Sequence, residues 1–409
     1  MHLTDALGSL RHRDFRWFFL ASSVNRLGSM MTAVAYAFAV LHVDNSASAL
    51  SQVLAAQVGG NVLCALFGGV IADRLSRRVV LQSTYVSSAL VLGVTASLLL
   101  SGQATVALLT LLAALAGAAS AFSAPAVQGI VPQLVPRADL QQANALISLV
   151  RNGASFIGPV LGAMLVAIGG APWALVIDAG SFALASMLLL GVRLPGAARR
   201  QTRIIRDLRE GWGEFTSRTW LWVIVVAFGF MNAIHSGAVL VLGPLIAKNT
   251  TTLGIAGWGW VMGAEAVGML VMSAILLRLP LRHPLRTGMM AIPAVALFIA
   301  LLGLHPVTLP LMAVSFLGGA GMEIFGTGWN VSLGERVPST VLSRVSSYDI
   351  LGSFVAMPFG MLVYGALATV VPLPLLLAFS GALYALIALS TLSVRSIRTM
   401  QRLPDNVTS

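Results

Sequence analysis

The chain has 409 residues and a net charge of +11, yet 57% of its residues are hydrophobic and only 10% are charged. A soluble domain carries about 25% charged residues, so water cannot be the solvent for most of this surface. The apolar runs are continuous, not alternating. That excludes a transmembrane barrel and leaves spanning helices, each of which needs roughly 20 apolar residues.

In chain order, span 1 is predicted at 16–41. Arg11, Arg13 and Arg16 precede it as they would precede a signal peptide. The stretch from Trp17 to Leu41 is too long for a signal core of about 7–15 residues. Span 2, at 48–72, contains Cys64, the only cysteine, which excludes an intramolecular disulfide and a cysteine-based metal site. Spans 3 to 6 are expected at 79–101, 104–124, 142–169 and 172–193. Residues 194–218 read as a linker. In it Ile204, Ile205, Leu208, Trp212 and Phe215 recur at helical spacing among charges, the pattern of an amphipathic helix lying on the membrane surface. Spans 7 to 12 follow at 219–247, 254–278, 286–304, 308–332, 343–370 and 373–394, with a tail at 395–409. The expected fold is an all-α integral membrane protein with twelve transmembrane helices in two pseudo-symmetric six-helix bundles, 1–193 and 219–394.

The basic residues give this scheme an orientation. There are 24 arginines and 1 lysine. Arg26 and Arg151 fall inside spans, and Lys248 follows span 7. All the others lie at the termini, in loops leading from an even to an odd span, or at the span ends that border these, seven of them from Arg193 to Arg218. The positive-inside rule then puts both termini in the cytoplasm of a cell-membrane protein. The positive charge serves topology and contact with anionic headgroups, not nucleic acid.

The two halves read as repeats. Val135-Pro136 before span 5 recurs as Val337-Pro338 before span 11, an offset of 202 residues. Pro159 and Pro358 follow at similar distances. Such parallel repeats are a transporter architecture.

Between spans 2 and 3 the chain reads Gly68-Gly69-Val70-Ile71-Ala72-Asp73-Arg74-Leu75-Ser76-Arg77-Arg78. This resembles the signature loop of the major facilitator superfamily, with Ser76 as a mild departure. The resemblance implies a conformational latch formed by Gly69, Asp73, Arg74, Arg77 and Arg78. Span 5 carries Gly153, Gly158, Pro159 and Gly162, which looks like the antiporter element of that superfamily. The three glycines are expected to form one flat, closely packed face. The stretch from Pro125 to Asn144 and the Ile177-Asp178-Ala179 of span 6 look like the drug-exporter branch that includes macrolide efflux proteins and the enterobactin exporter. No Walker lysine, hydrolase elbow or zinc motif is present, so the chain is not read as an ATP-driven pump or an enzyme, and no cofactor or metal is expected.

A charge at the bilayer centre is expensive, ~2.5–3.5 kcal/mol on insertion scales, so charges within spans mark function or structural pairs. Glu323 is the first proton-coupling candidate, with Glu265 and Asp178 behind it. A carboxyl taken out of water holds a proton more tightly, which lets it load and release as hydration changes. Asn25, Arg26, Arg151, Asn152, Asn232 and His235 are the cavity candidates, and Arg151 has Asp178 as a possible structural partner instead. Trp258, Trp260 and Trp329 fit substrate walls or interfacial belts. The reading is a monomeric secondary transporter whose bundles rock about a midplane cavity, exporting a small amphiphilic compound by proton antiport. A siderophore or lysophospholipid as cargo, a proton-symport importer, and a non-transporting scaffold or sensor are its rivals.

Overall fold

The computed structural model describes residues 7–72, 76–193, 212–338 and 341–403. No strand occurs among them. The contacts divide the chain into two compact units, 1–200 and 201–409.

The first unit holds six spans. They are α1 (Arg13–Val43), α2 (Ala47–Ala72), α3 (Arg77–Leu100), α4 (Val106–Ser120), α5 (Leu140–Gly169) and α6 (Ala171–Leu189). α4 was expected to end near 124, but after a break at Ala121-Phe122 a second helix runs over Ser123–Leu134. Pro125 falls in the first turn of that helix, where its missing N–H removes no intrahelical bond. α1 starts three residues before its predicted boundary because Arg13, Asp14 and Phe15 continue the helix.

The second unit repeats the count. Its spans are α7 (Thr219–Asn249), α8 (Gly254–Leu276), α9 (Pro284–Leu304), α10 (Thr308–Arg336), α11 (Arg344–Val370) and α12 (Leu373–Ser393). α7 contains a π-helical stretch, Ser236–Val241. α11 is interrupted at Val355-Ala356, just before Pro358. Among the described residues ten helices are long and apolar enough to cross a bilayer on their own, and Val106–Ser120 is a shorter apolar helix.

Within each unit small residues set the helix crossings, because lipid gives apolar side chains no reason to prefer one another and close backbone contact takes over. A Cβ at Gly117 of α4 would lie 1.9 Å from the Gln57 carbonyl of α2, and one at Gly319 of α10 would lie 2.1 Å from the Glu265 carbonyl of α8. A Cβ at Gly158 of α5 would meet Met30 of α1 at 2.3 Å, and one at Gly360 of α11 would meet the Ala233 carbonyl of α7 at 2.1 Å. Gly117 and Gly319 are 202 residues apart, as are Gly158 and Gly360. The offset read from the Val-Pro pairs is thus also the offset between equivalent packing contacts.

The end of the first unit that carries the N-terminus is tied by polar contacts. Arg11 Nη2 and His12 Nε2 lie 3.1 Å and 2.7 Å from the Asp139 Oδ2 carboxylate just before α5. The Arg193 backbone N–H donates to Asp14. The bonds from His12 and Arg11 hold the Asp139 carboxyl below its ordinary range. A carboxyl depressed in the folded state contributes fully above its unfolded pKa of about 3.9, and that contribution disappears as pH falls through the folded value. Asp139→Asn is therefore expected to raise hydrogen exchange of the 7–12 segment at neutral pH. In the wild type the same release is expected only in acid, below the unfolded carboxyl pKa. Equal exchange in both proteins at neutral pH would refute this.

The second unit is tied at the corresponding place. Arg336 donates to the Gln401 carbonyl, and Glu335 accepts from the Leu403 N–H and lies 3.6 Å from Arg402. Residues 395–403, expected as a tail, are packed here. Most of the predicted amphipathic linker, including Ile204, Ile205 and Leu208, lies outside the described residues. Its last turn is described: Trp212 and Phe215 stack on each other, and Tyr348 of α11 meets Trp212 edge-on and Phe215 at a tilt, with ring centroids 5.4–5.9 Å apart.

Candidate functional site

The first unit carries a half-open cavity of about 610 Å³, lined from α1 to α6 and from the Ser123–Leu134 helix. Arg26 and Asn25 enter it from α1, Asn61 from α2, Tyr85 from α3, Ser120 from the end of α4 and Arg151 from α5. Arg26 lies 13 residues into α1, about 20 Å from its start at 1.5 Å per residue. Neither Arg26 nor Arg151 forms an ion pair or hydrogen bond from its guanidinium among the described residues, and the two repel as like charges. No described acidic residue lines the cavity. Asn61 is occupied by the Ser120 hydroxyl at 2.9 Å. The buried Nδ2 of Asn25 has no hydrogen-bond partner among the described residues.

Two of the expected site residues stand apart from this cavity. Asn152, the neighbour of Arg151, does not line it. Asp178 is 1% exposed and accepts the Ser181 hydroxyl at 2.8 Å. It faces Gly28 of α1, where a Cβ would come within 2.3 Å of its Oδ1. Asp178 makes no ion pair with Arg151, so that possible pairing is not formed.

In the second unit Glu265 is half-buried on α8 and has no hydrogen-bond or ion-pair partner among the described residues. The phenol of Tyr384, 2% exposed on α12, is within its electrostatic reach. Glu323 accepts the Thr327 hydroxyl one turn along α10, at 3.3 Å. Asn232 donates to the Ser353 carbonyl at 2.9 Å, and Ser236 donates to the Met357 carbonyl at 3.1 Å. These two α7 side chains satisfy carbonyls flanking the break in α11. The amide of Asn232, expected at a cavity, is thus engaged by backbone. His235 follows one turn after Asn232, directly before the π-helical stretch.

Trp258 is 2% exposed and packs on Gly243, and Trp329 is 8% exposed. Both are interior residues of the bundle, not belt residues, while Trp260 is 45% exposed. The Trp329 indole donates to Asp349 Oδ2 at 2.9 Å, and the Ser353 hydroxyl donates to Oδ1 at 3.3 Å. That carboxylate is an organising point of the second unit. An aspartate in span 11 was visible, but the indole that holds it lies 20 residues away.

Of the latch residues, Asp73 and Arg74 lie outside the described residues. Gly69 falls near the end of α2, and Arg77 opens α3. Ser76 caps α3 by accepting the Val79 N–H, which explains the departure from the usual loop. Arg78 donates to the Leu190 carbonyl at the end of α6. In the antiporter-like element α5 runs unbroken through Pro159. Gly158 and Gly162 abut Met30 and Met31 of α1, but a Cβ at Gly153 would meet nothing within 4 Å. The expected three-glycine face therefore holds only two, because Gly153 lies on the side of the helix turned away from α1.

The family model described as transmembrane secretion effector matches residues 4–407. The chain belongs to this family. It is a multi-pass transporter of the major facilitator superfamily, in the branch of drug and siderophore exporters, and not an enzyme. Among its relatives, the multidrug efflux pump Tap of Mycobacterium tuberculosis is 26% identical over 352 residues, covering 83% of this chain and 83% of that one. The enterobactin exporter EntS of Escherichia coli is 27% identical over 354 residues, covering 83% and 80%. Among solved structures, the nucleoside transporter NupG superposes with a TM-score of 0.70 at 12% identity, covering 93% of this chain and all of that one. A bacterial homologue of the human lysosomal transporter Spinster gives 0.72 at 14%, covering 95% and 99%. These last two likenesses concern the major facilitator fold alone.

Proposed function

We propose that this transporter exports a small amphiphilic compound, such as an antibiotic or secondary metabolite, in exchange for protons, with both termini in the cytoplasm. Two relatives, Tap and EntS, are named as exporters. The even-to-odd bias of the arginines supports the orientation. The observation that carries proton coupling is Glu265, a carboxyl in a spanning helix with no hydrogen-bond or ion-pair partner among the described residues. A carboxylate there is expensive, and binding a proton removes the charge. Glu323, already engaged by Thr327, takes the second place in this relay, which reverses the order expected from sequence. Access alternates between the two sides of the membrane, and the 194–218 segment ties the units through the cycle. The twin Val-Pro repeats and the glycine pairs at the same offset support such a two-unit machine.

Enterobactin export by EntS favours one second reading, a siderophore as the cargo. The deciding measurement is dye and antibiotic accumulation in cells producing the protein, with and without a protonophore. Accumulation is expected to fall on expression and to recover with the protonophore. Lowered accumulation that ignores the protonophore would overturn proton coupling while leaving export in place.

A further inference from the structure

The cavity of the first unit has a chemical preference. Its volume of about 610 Å³ lies within the roughly 300–1,000 Å³ of small-molecule sites. Two guanidinium groups enter it from helices whose residues are 125 positions apart in sequence. Both side chains are exposed to the cavity, and a charge inside a span either faces such a cavity or pairs with an opposite charge. Here no described carboxylate pairs with either arginine, and the two raise each other's electrostatic energy. The nearest structural alternative, Asp178, is turned toward Gly28 and bound by Ser181. Beside the arginines stands a buried amide donor, Asn25 Nδ2, with no acceptor among the described residues. The serine hydroxyls around them donate as readily as they accept. A wall with unpaired donors and fixed positive charge is complementary to a planar oxyanion, for which the arginine fork has matching geometry.

We propose that the transported compound carries an anionic oxygen group, a carboxylate or an ionised phenol, held in this cavity between Arg26 and Arg151 with Asn25 as a further donor. The proposal rests on the export reading only in taking the cargo to enter this cavity.

The two can fail separately, because binding is read without any gradient. Two xanthene dyes of similar shape serve as probes: fluorescein, with a carboxylate and an ionised phenol, and the cationic ester rhodamine 123. Each is titrated by equilibrium dialysis against the purified full-length protein in detergent. Fluorescein is expected to bind at least about ten-fold more tightly, the amount one charge-assisted contact supplies. Arg26→Gln and Arg151→Gln are each expected to weaken fluorescein by about ten-fold or more and to leave rhodamine 123 unweakened. Arg26→Lys is expected to keep part of the preference, since it retains charge but not the fork. Neither arginine has a structural partner to lose, so the variants should remain monodisperse on size exclusion. Equal or stronger binding of rhodamine 123, binding of neither dye, or fluorescein binding indifferent to both glutamine variants would overturn the proposal. Loss of gradient-driven transport in Glu265→Gln with the dye preference unchanged would leave it standing.

Discussion

Glu265→Gln is expected to abolish gradient-driven transport while leaving cargo binding in place. The glutamine keeps the shape of the side chain and cannot carry a proton. Glu265 has no described partner to be orphaned by the change, so the fold should tolerate it. The ~2.5–3.5 kcal/mol that separates a charged from a neutral side chain in mid-membrane corresponds to about 100-fold in occupancy. A loss of that order in pH-driven flux into proteoliposomes is the expected size. Glu323→Gln should reduce the same flux less, because its carboxyl is already held by Thr327. Unimpaired flux in Glu265→Gln with a large loss in Glu323→Gln would restore the order expected from sequence. Unimpaired flux in both would remove the proton from this pair.

The second large effect concerns glycines, and its sign changes with position. Gly117→Ala and Gly319→Ala place a methyl within 1.9 Å and 2.1 Å of a backbone carbonyl on the facing helix. No side chain can move aside, so α2 must part from α4, or α8 from α10. Overpacking of this kind costs about 1–3 kcal/mol, and each variant should melt earlier in detergent. Gly153→Ala should do the opposite. Its site is open, and replacing glycine by alanine in a helix interior gains roughly 0.5–1 kcal/mol. A destabilised Gly153→Ala alongside unaffected Gly117→Ala and Gly319→Ala would contradict the helix crossings described here. The contrast also divides the antiporter-like element by role. Gly158 and Gly162 are packing residues against α1, and Gly153 is not.

Much of this protein was legible in its sequence because the bilayer reads composition. Lipid cannot solvate charge, so the long apolar runs had to be spans, and the arginines had to gather at alternate loops. The 202-residue offset was visible in Val135-Pro136 and Val337-Pro338, since turns are written in local residues. Arg26, Asn25 and Arg151 could be picked out because each is strongly polar within an otherwise apolar span.

Tertiary structure alone decided what those residues meet. It brought Arg26 and Arg151 into one cavity and left Asn152 out of it. It turned Asp178 toward Gly28 and not Arg151, gave the Asn232 amide to a carbonyl of α11, and joined Trp329 to Asp349. The reason is geometric. A helix fixes the direction of each side chain relative to its own axis, but the rotation and distance of the facing helix come from small-residue contacts made more than 50 positions away in sequence.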